Sequence, residues 1–555
     1  MSTQTRFSFP QKTKFIIITG GVISGLGKGV ASAAIAKLLS NGKKIIPMKL
    51  DGYLNVDPGT MNPIEHGEVF VLDDKGEVDM DFGHYERFLG VTCKSKWNLT
   101  MGKVFDFVRQ KERRGDYLGK TVQYIPHVTN AIKEKIFEVA KEEDADIMMI
   151  EVGGTVGDLE NELYIESMRQ LKKEVGEENI AYIHMTYVPI PSGVKEQKSK
   201  PTQQSVNLLR QRGIQPDIII GRCAQLLDDS IKERISTFCD IPKEAVITGL
   251  DVDNVYRIPL VFQDEGILEI LNQKLHLHAS PDTTYWSQLV HQMDHAEKEV
   301  TIALCGKYTR LEDSYASVIE AVRQAGAHLG VKPKLKWIET TEIEEGKVHV
   351  EEALRGVSGI IVPGGFGSRG IEGKIQVVRY ARENGIPYLG LCYGMQLAVI
   401  EFSRNVCGMQ GAHSTEVNPN TAFPVIDLLP EQVEVKEKGA TMRLGGHDVE
   451  IKKGTRAEKM FGAQARLRFR HRYEVNPAFI ATLEKNGVIF SGKAPEREIM
   501  QIMELPAEKH PFFMGTQAHP ELTSRLEKPN PFFLELIRSA SLRKELPVKG
   551  QLLPQ

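Results

Sequence analysis

Cys392 lies in Tyr388-Leu389-Gly390-Leu391-Cys392-Tyr393-Gly394-Met395-Gln396, which reads as a strand, a G-x-C-x-G turn and then a helix. That is the pattern of a nucleophile elbow with cysteine in place of serine. The sharp turn needs small residues at 390 and 394, and it puts the sulfur at a helix N-terminus, a setting that favours thiolate. Far downstream, His519-Pro520-Glu521 supplies a base and a carboxylate to orient it. Cys392, His519 and Glu521 thus complete the logic of a catalytic triad. Pro363-Gly364-Gly365-Phe366-Gly367 follows another apolar strand, and its backbone N–H groups are candidates for an oxyanion hole.

A different chemistry is written near the start. The strand Phe15–Thr19 runs into Gly20-Gly21-Val22-Ile23-Ser24-Gly25-Leu26-Gly27-Lys28-Gly29 and then a helix. Glycines let backbone N–H groups curl around phosphate oxygens, the helix end adds positive potential, and Lys28 reaches the terminal phosphates. Six residues separate Gly20 from Gly27 where the usual loop has four, and Gly29 replaces the Mg²⁺-binding hydroxyl. The metal then needs carboxylates from elsewhere. Asp79-Met80-Asp81 is one source; Glu151, at the end of the apolar strand Asp146–Ile150, is in the position of a Walker-B acid.

Two further segments carry charge. Lys195-Glu196-Gln197-Lys198-Ser199-Lys200-Pro201-Thr202-Gln203 places two lysines two residues apart, on one side of an extended chain, where they are able to clamp a polyphosphate. A solvated charged face is the plainer reading of this run. In Glu151–Glu160 the glycines permit close backbone approach, and Asp158 and Glu160 are acceptors for ribose hydroxyls or an amine.

These residues need rigid elements to hold them. Strands Lys14–Thr19, Lys44–Leu50, Asp146–Ile150 and Ile218–Ile220, with helix Lys28–Ser40, give a βαβ rhythm and predict a parallel sheet covered by helices. A second βα series begins at Val300–Leu304 and includes Gly359–Val362 and Tyr388–Leu391. The fold class expected is therefore α/β, with two doubly wound, mostly parallel sheet domains. Ser280–Glu299 is polar, rich in His and Gln, and reads as a linker. The expected division is 1–278, linker 279–299, 300–545 and tail 546–555.

Composition narrows the class. Of 555 residues 41% are hydrophobic and 26% charged, and the net charge is −3, so the chain is globular and not the basic coat of a nucleic acid. No apolar run approaches the ~20 residues of a membrane span, and the N-terminus lacks the apolar core of a signal peptide. Six cysteines, with no C-x-x-C pair, suggest reduced thiols in a cytoplasm. Cys93, Cys223, Cys239, Cys305 and Cys407 read as ordinary packed or surface thiols.

Taken together the motifs resemble those of the CTP synthases over nearly the whole chain: GGVISGLGKG, DPGTM, IEVGGTVGDLE, KSKPTQQS, VPGGFGSRG, GLCYGMQ, HSTE, FRHRYEVN and AHPE. The phosphate loop alone also resembles dethiobiotin-synthetase-like amide ligases, and the Cys and His-Pro-Glu motifs class I glutamine amidotransferases. The resemblance implies a reaction in which ATP phosphorylates the uracil 4-oxygen of UTP and ammonia from glutamine displaces the phosphate, giving CTP, ADP, phosphate and glutamate. It implies that Gly25, Leu26, Gly27, Lys28, Gly29 and Val30 hold ATP, with Leu250, Asp251 and Val252 beside the adenine, and that Asp81 and Glu151 bind Mg²⁺. Ser24, Lys198, Ser199, Lys200, Pro201, Thr202, Gln203 and Arg234 would serve the triphosphate of UTP and CTP, and Asp158, Leu159 and Glu160 would recognise CTP. Gly365, Tyr393, Gly394, Met395, Gln396, Glu416 and Arg472 would bind glutamine.

The resemblance further implies GTP as an allosteric activator, CTP as an inhibitor, a shielded ammonia passage near His66, and a homotetramer (a dimer of dimers) with UTP at subunit contacts. Arg234 stands where the family usually has Lys, Tyr393 where Leu is commoner, and Ala518 where Phe is frequent. Two other readings compete. One is another ATP-dependent amide ligase fused to a glutaminase, such as a cobyrinic-acid amidase type, which has no need of a triphosphate clamp. The other is a filament-forming regulator with a dead glutaminase, which the intact Cys392, His519 and Glu521 argue against.

Overall fold

The computed structural model describes residues 9–61, 67–306, 312–365, 369–428, 442–495 and 497–545. The chain divides into two compact units, one of residues 1–58 and 84–287, the other of residues 59–83 and 288–555.

The first unit is built on seven parallel strands: β1 (Lys14–Gly20), β2 (Ile45–Asp51), β3 (Asn98–Thr100), β4 (Ile147–Val152), β5 (Ile180–Tyr187), β6 (Ile218–Cys223) and β7 (Val246–Leu250). Their order across the sheet is β3-β2-β4-β1-β5-β6-β7. Helices cover the sheet, so the central strands are buried on both faces, and β1, β2 and β4 are apolar or β-branched almost throughout. Helix α1 (Lys28–Leu39) buries Ala31, Ala33, Ala34 and Ala36, small residues that bring it close to the sheet. Register does the positioning. Glu151 of β4 pairs with Ile18 of β1 on one side and Lys49 of β2 on the other, so the acid and the start of the glycine loop come out at one edge.

The large sheet of the second unit has nine strands: β8 (Lys298–Gly306), β9 (Val331–Glu339), β10 (Gly359–Val362), β11 (Tyr388–Leu391), β12 (Arg443–Ile451), β13 (Gln464–His471), β14 (Ile489–Lys493), β15 (Met500–Glu504) and β16 (Phe513–Thr516). The order is β9-β8-β10-β11-β16-β15-β14-β12-β13. The five strands from β9 to β16 run parallel, and the remaining four extend the sheet antiparallel. The chain is thus α/β in both units. The strands legible in the sequence all fall in the parallel halves; the antiparallel extension gave no βα rhythm to detect.

Two segments differ from their expected roles. Ser280–Glu299, expected as a linker, contains a helix at Thr284–His295 and the start of β8. Trp286 in that helix is fully buried and donates its indole N–H to the Tyr256 carbonyl at 2.7 Å, which ties the helix down. Residues 59–83 are the second difference. They come from the N-terminal part of the chain but pack in the second unit, where strands Phe70–Val71 and Glu77–Val78 form a hairpin. Arg470 donates to Glu77 at 2.8 Å, Arg466 to Asp73 at 2.8 Å, and the Ser317 backbone N–H to Glu68 at 3.2 Å. Among the described residues no helix is long and apolar enough to cross a membrane.

Candidate functional site

In the second unit, β11 and β16 end side by side, with Leu391 opposite Thr516. The next residues are Cys392 on one strand and, three residues past Thr516, His519 on the other. The Cys392 backbone N–H donates to the Thr516 carbonyl at 2.7 Å. Cys392 has φ 49° and ψ −101°, a left-handed conformation that a non-glycine residue holds at a cost of about 1–3 kcal/mol. The turn tolerates nothing larger than glycine around it: a Cβ on Gly390 would lie 2.6 Å from the Gly394 carbonyl carbon, and one on Gly394 only 2.1 Å from the Val362 oxygen. The helix α2 (Tyr393–Asn405) follows directly.

Glu521 orients His519, Nδ1 to Oε1 at 2.8 Å, and His519 and Cys392 both flank Gly364. Burial opposes a charge on His519, but Cys392 and Glu521 outweigh it and hold the imidazole well above its ordinary value. The three triad residues are therefore assembled. A cavity of about 190 Å³ opens onto His519 and Glu521, lined by Gly364, Gly365, Arg470 and, from the inserted segment, Glu68 and Val71. Gly364 sits so close that a Cβ there would lie 2.9 Å from His519 Cε1 and 3.6 Å from Cys392 Cβ. Phe366 and Gly367 of the expected oxyanion segment lie outside the described residues, as do His66 and the tail.

The expected glutamine contacts surround this centre to different degrees. Gly394 and Met395 form the first turn of α2. Gln396 is buried, and its Nε2 donates to the Tyr473 carbonyl at 2.7 Å and to Gln517 Oε1 at 3.1 Å. Tyr393 is buried with its ring 5.6 Å from the Lys374 ammonium, and among the described residues its hydroxyl has no partner. Burial and then Glu416 push the Tyr393 phenol up. Glu416 and Arg472 are both partly exposed. Ala518, where the family favours Phe, is fully buried.

In the first unit, the turn after β1 is made by Gly25 (φ 73°) and Gly27 (φ 83°), left-handed positions that let the backbone curl before α1. Lys28 reaches across the loop to the Gly154 carbonyl at 2.7 Å. Leu250 and Val252 share a pocket with Leu26, Gly27, Val30 and Phe262. Arg222 links the two sides, donating to the Gly25 carbonyl at 2.8 Å and to Asp251 at 2.6 Å. Ser24 and Gly29 complete the loop, the first exposed and the second buried.

Glu151 is 2% exposed, 3.3 Å from Lys49 Nζ and hydrogen-bonded to the Tyr85 hydroxyl. Asp51 is also buried, 3.7 Å from Lys49. These are hard oxygen donors at the phosphate-loop edge, the chemistry Mg²⁺ takes, with phosphate and water completing a shell. Among the described residues no three ligating side chains form a ready-made cluster. Asp81 opens the helix Asp81–Leu89 and is partly exposed.

The basic segment is not extended. Ser199 is helical in its dihedrals, and Lys200 and Pro201 open a helix through Gln211, because proline's fixed φ suits a first helical turn. The same-side argument for Lys198 and Lys200 fails with it. Lys198 pairs with Glu196 at 2.8 Å; Lys200 and Arg234 are exposed. Ser199, Thr202 and Gln203 face inward, with Gln203 donating to Ser199 at 3.1 Å and Thr202 bonded to Thr186 at 2.9 Å, so they frame the segment. Asp158, Leu159 and Glu160 are exposed on a turn that Asn161 staples to the Gly153 and Thr155 carbonyls.

Sequence reasoning missed several groups. Under the loop, His184 is fully buried between Thr19 and Ser205, each at 2.8 Å, and burial first, then Lys28, lowers it to about 3, which keeps it neutral. Arg222, Lys49, Tyr85 and Gln517 were missed as well. Their only signal is spatial, from strand register.

A family model for the CTP synthase N-terminus matches residues 14–277, and one for the class-I glutamine amidotransferase matches residues 310–539. A CTP synthase of Borreliella afzelii (strain PKo) is 52% identical over 534 residues, 95% of this chain and 99% of the relative. A CTP synthase of Thermococcus gammatolerans is 50% identical over 536 residues, 96% and 99% of the two chains. Among solved structures, the Trypanosoma brucei CTPS glutaminase domain with bound acivicin is 35% identical with a TM-score of 0.40, covering 44% of this chain and 94% of that one. With half of its residues shared along nearly the full length of such relatives, the chain belongs to the CTP synthase family of glutamine-hydrolysing carbon–nitrogen ligases.

Proposed function

We propose that the first unit aminates UTP and the second frees the ammonia it uses. What supports this reading best is that each unit carries its own set of reactive groups: a glycine loop with Lys28 and the buried Glu151 in one, a Cys392–His519–Glu521 constellation in the other. ATP lies on Gly25–Val30 with its phosphates at Lys28 and its adenine against Leu250–Val252. Asp81 and Glu151 would hold Mg²⁺, which when bound neutralises phosphate charge. UTP takes the phosphoryl group on its 4-oxygen, and ammonia then displaces phosphate. Lys198, Lys200, Arg234 and Ser24 bind the triphosphate of UTP and of CTP.

In the second unit Cys392 attacks the glutamine amide carbon. His519 gives its proton to the departing ammonia, and water then frees glutamate from the sulfur. Gly365, Tyr393–Gln396, Glu416 and Arg472 seat the glutamine. GTP activates this half, CTP inhibits the other, and the working form is a cytoplasmic homotetramer. The test is CTP formation by purified protein, followed by absorbance, with glutamine or ammonia as donor. ADP release should require UTP, and GTP should accelerate only the glutamine reaction. ADP release that ignores UTP would place the chain with another amide ligase.

The exposed Asp158–Glu160 turn yields a sharper expectation. Substrate and product share a triphosphate but differ at base position 4, so a product inhibitor gains from a base pocket of its own. Glu160→Ala should weaken CTP inhibition roughly tenfold or more, the worth of one hydrogen bond to a charged acceptor at ~1.5–3 kcal/mol, with little change in UTP use. Lys200→Ala should weaken both nucleotides together. Measuring the CTP inhibition constant beside the UTP half-saturation constant decides it, and parallel shifts in Glu160→Ala would show one shared pocket.

A further inference from the structure

The groups around the Cys392 sulfur include one that the triad leaves unused. Gln517 is fully buried, two residues before His519, and its Nε2 lies 3.5 Å from Cys392 Sγ. Which end of an amide faces a neighbour is settled by its partners. Here the chain of partners starts at a backbone carbonyl. The Tyr473 carbonyl only accepts, so the Gln396 amide must turn its NH₂ toward it, at 2.7 Å. The second N–H of that NH₂ then meets Gln517 Oε1 at 3.1 Å. With its oxygen so occupied, Gln517 has only N–H to offer the sulfur. The Gln517 backbone is fixed as well, by its N–H bond to the Gln501 carbonyl at 2.9 Å.

An N–H donor distinguishes the two states of the sulfur. A thiolate accepts it fully and a thiol poorly, and in a buried site a donor to a charged acceptor counts for more than one to a neutral group. The thiol proton has an acceptor of its own in the Arg470 carbonyl, at 3.8 Å. We infer that the Gln517 amide, locked by Gln396 and the Tyr473 carbonyl, donates to the Cys392 sulfur and holds it in the charged, attacking form. The same relay spends both N–H groups of Gln396 and leaves its buried Oε1 without a protein partner among the described residues. Substrate contact and sulfur activation therefore pass through one amide.

This rests on Cys392 being the glutaminase nucleophile, so the experiment reads that first. Iodoacetamide modification of Cys392, located by peptide mass spectrometry, should stop glutamine-dependent CTP formation in the wild type and spare the ammonia reaction; modification without that loss overturns the nucleophile reading itself. The rate of Cys392 modification is then followed against pH in Gln517→Met, which lacks the donor, and Gln517→Glu, which keeps the shape and replaces the donor with a carboxylate. The midpoint should move upward by about one pH unit in Gln517→Met, a tenfold change in ionisation, and farther in Gln517→Glu. Glutamine-dependent kcat/KM should fall near neutral pH and recover as pH rises, with ammonia-dependent synthesis retained. An unmoved midpoint in both variants overturns the inference, whatever happens to turnover. So does loss of the ammonia reaction in both, which would mean that Gln517 supports the fold and not the sulfur.

Discussion

Replacing Cys392 with alanine is expected to abolish glutamine-dependent CTP formation while ammonia-dependent formation stays near the wild-type rate. In the proposed mechanism the sulfur is the one atom of the constellation that bonds to the substrate carbon, and removing such a nucleophile costs on the order of 10⁴–10⁶-fold in kcat. His519 and Glu521 remain hydrogen-bonded to each other without it, at 2.8 Å, so the fold of the site should survive. Alanine also fits the left-handed turn no worse than cysteine, since both carry a Cβ at φ 49°. The ammonia reaction does not use the sulfur: Lys28, its glycine loop and Glu151 belong to the other packed unit. Parallel assays with the two nitrogen donors settle the matter, and equal loss with both would sink the assignment of two separate chemistries.

Lys28→Ala is expected to impair CTP formation from both donors, on the order of 10²–10³-fold, the usual consequence of deleting one charged stabiliser of a developing phosphoryl charge. The lysine starts α1 and already spans the loop to Gly154, so its ammonium lies over the space between β1 and β4. Removing it takes away charge without removing a packing group of the core. Glutamine hydrolysis measured without nucleotides should persist, which separates a lost phosphate contact from a lost fold. Near-normal ammonia-dependent turnover in this variant would contradict the role given to Lys28.

The parts of this picture that were legible in the sequence are those encoded by a few adjacent residues. Gly25, Gly27 and Lys28 announce a tight glycine turn because left-handed positions before a helix leave a local mark. Gly390-Leu391-Cys392-Tyr393-Gly394 does the same for the elbow, since the crowding at 390 and 394 excludes every other residue type. Groups placed by register leave no such mark. Lys49 and Tyr85 meet Glu151 from positions far apart in the chain, and His184 meets Thr19 because β5 runs beside β1. The Thr284–His295 helix was hidden by a polar composition in which one buried tryptophan carries the packing. The extended run expected at Lys198–Lys200 is a helix start for a local reason: Pro201 suits a first helical turn as well as an extended run.

The inserted segment of residues 59–83 makes the order of the gene differ from the order of the molecule. Because one unit is residues 1–58 with 84–287 and the other is 59–83 with 288–555, no single cut releases both intact. A break before residue 288 leaves Arg466 and Arg470 without Asp73 and Glu77, and strips Arg468, only 2% exposed, of the Val71 carbonyl it holds. The other product keeps an acidic hairpin with nothing to lie against. The two activities are modular on paper and interlaced in the chain, so a faithful dissection needs three cuts and two rejoinings.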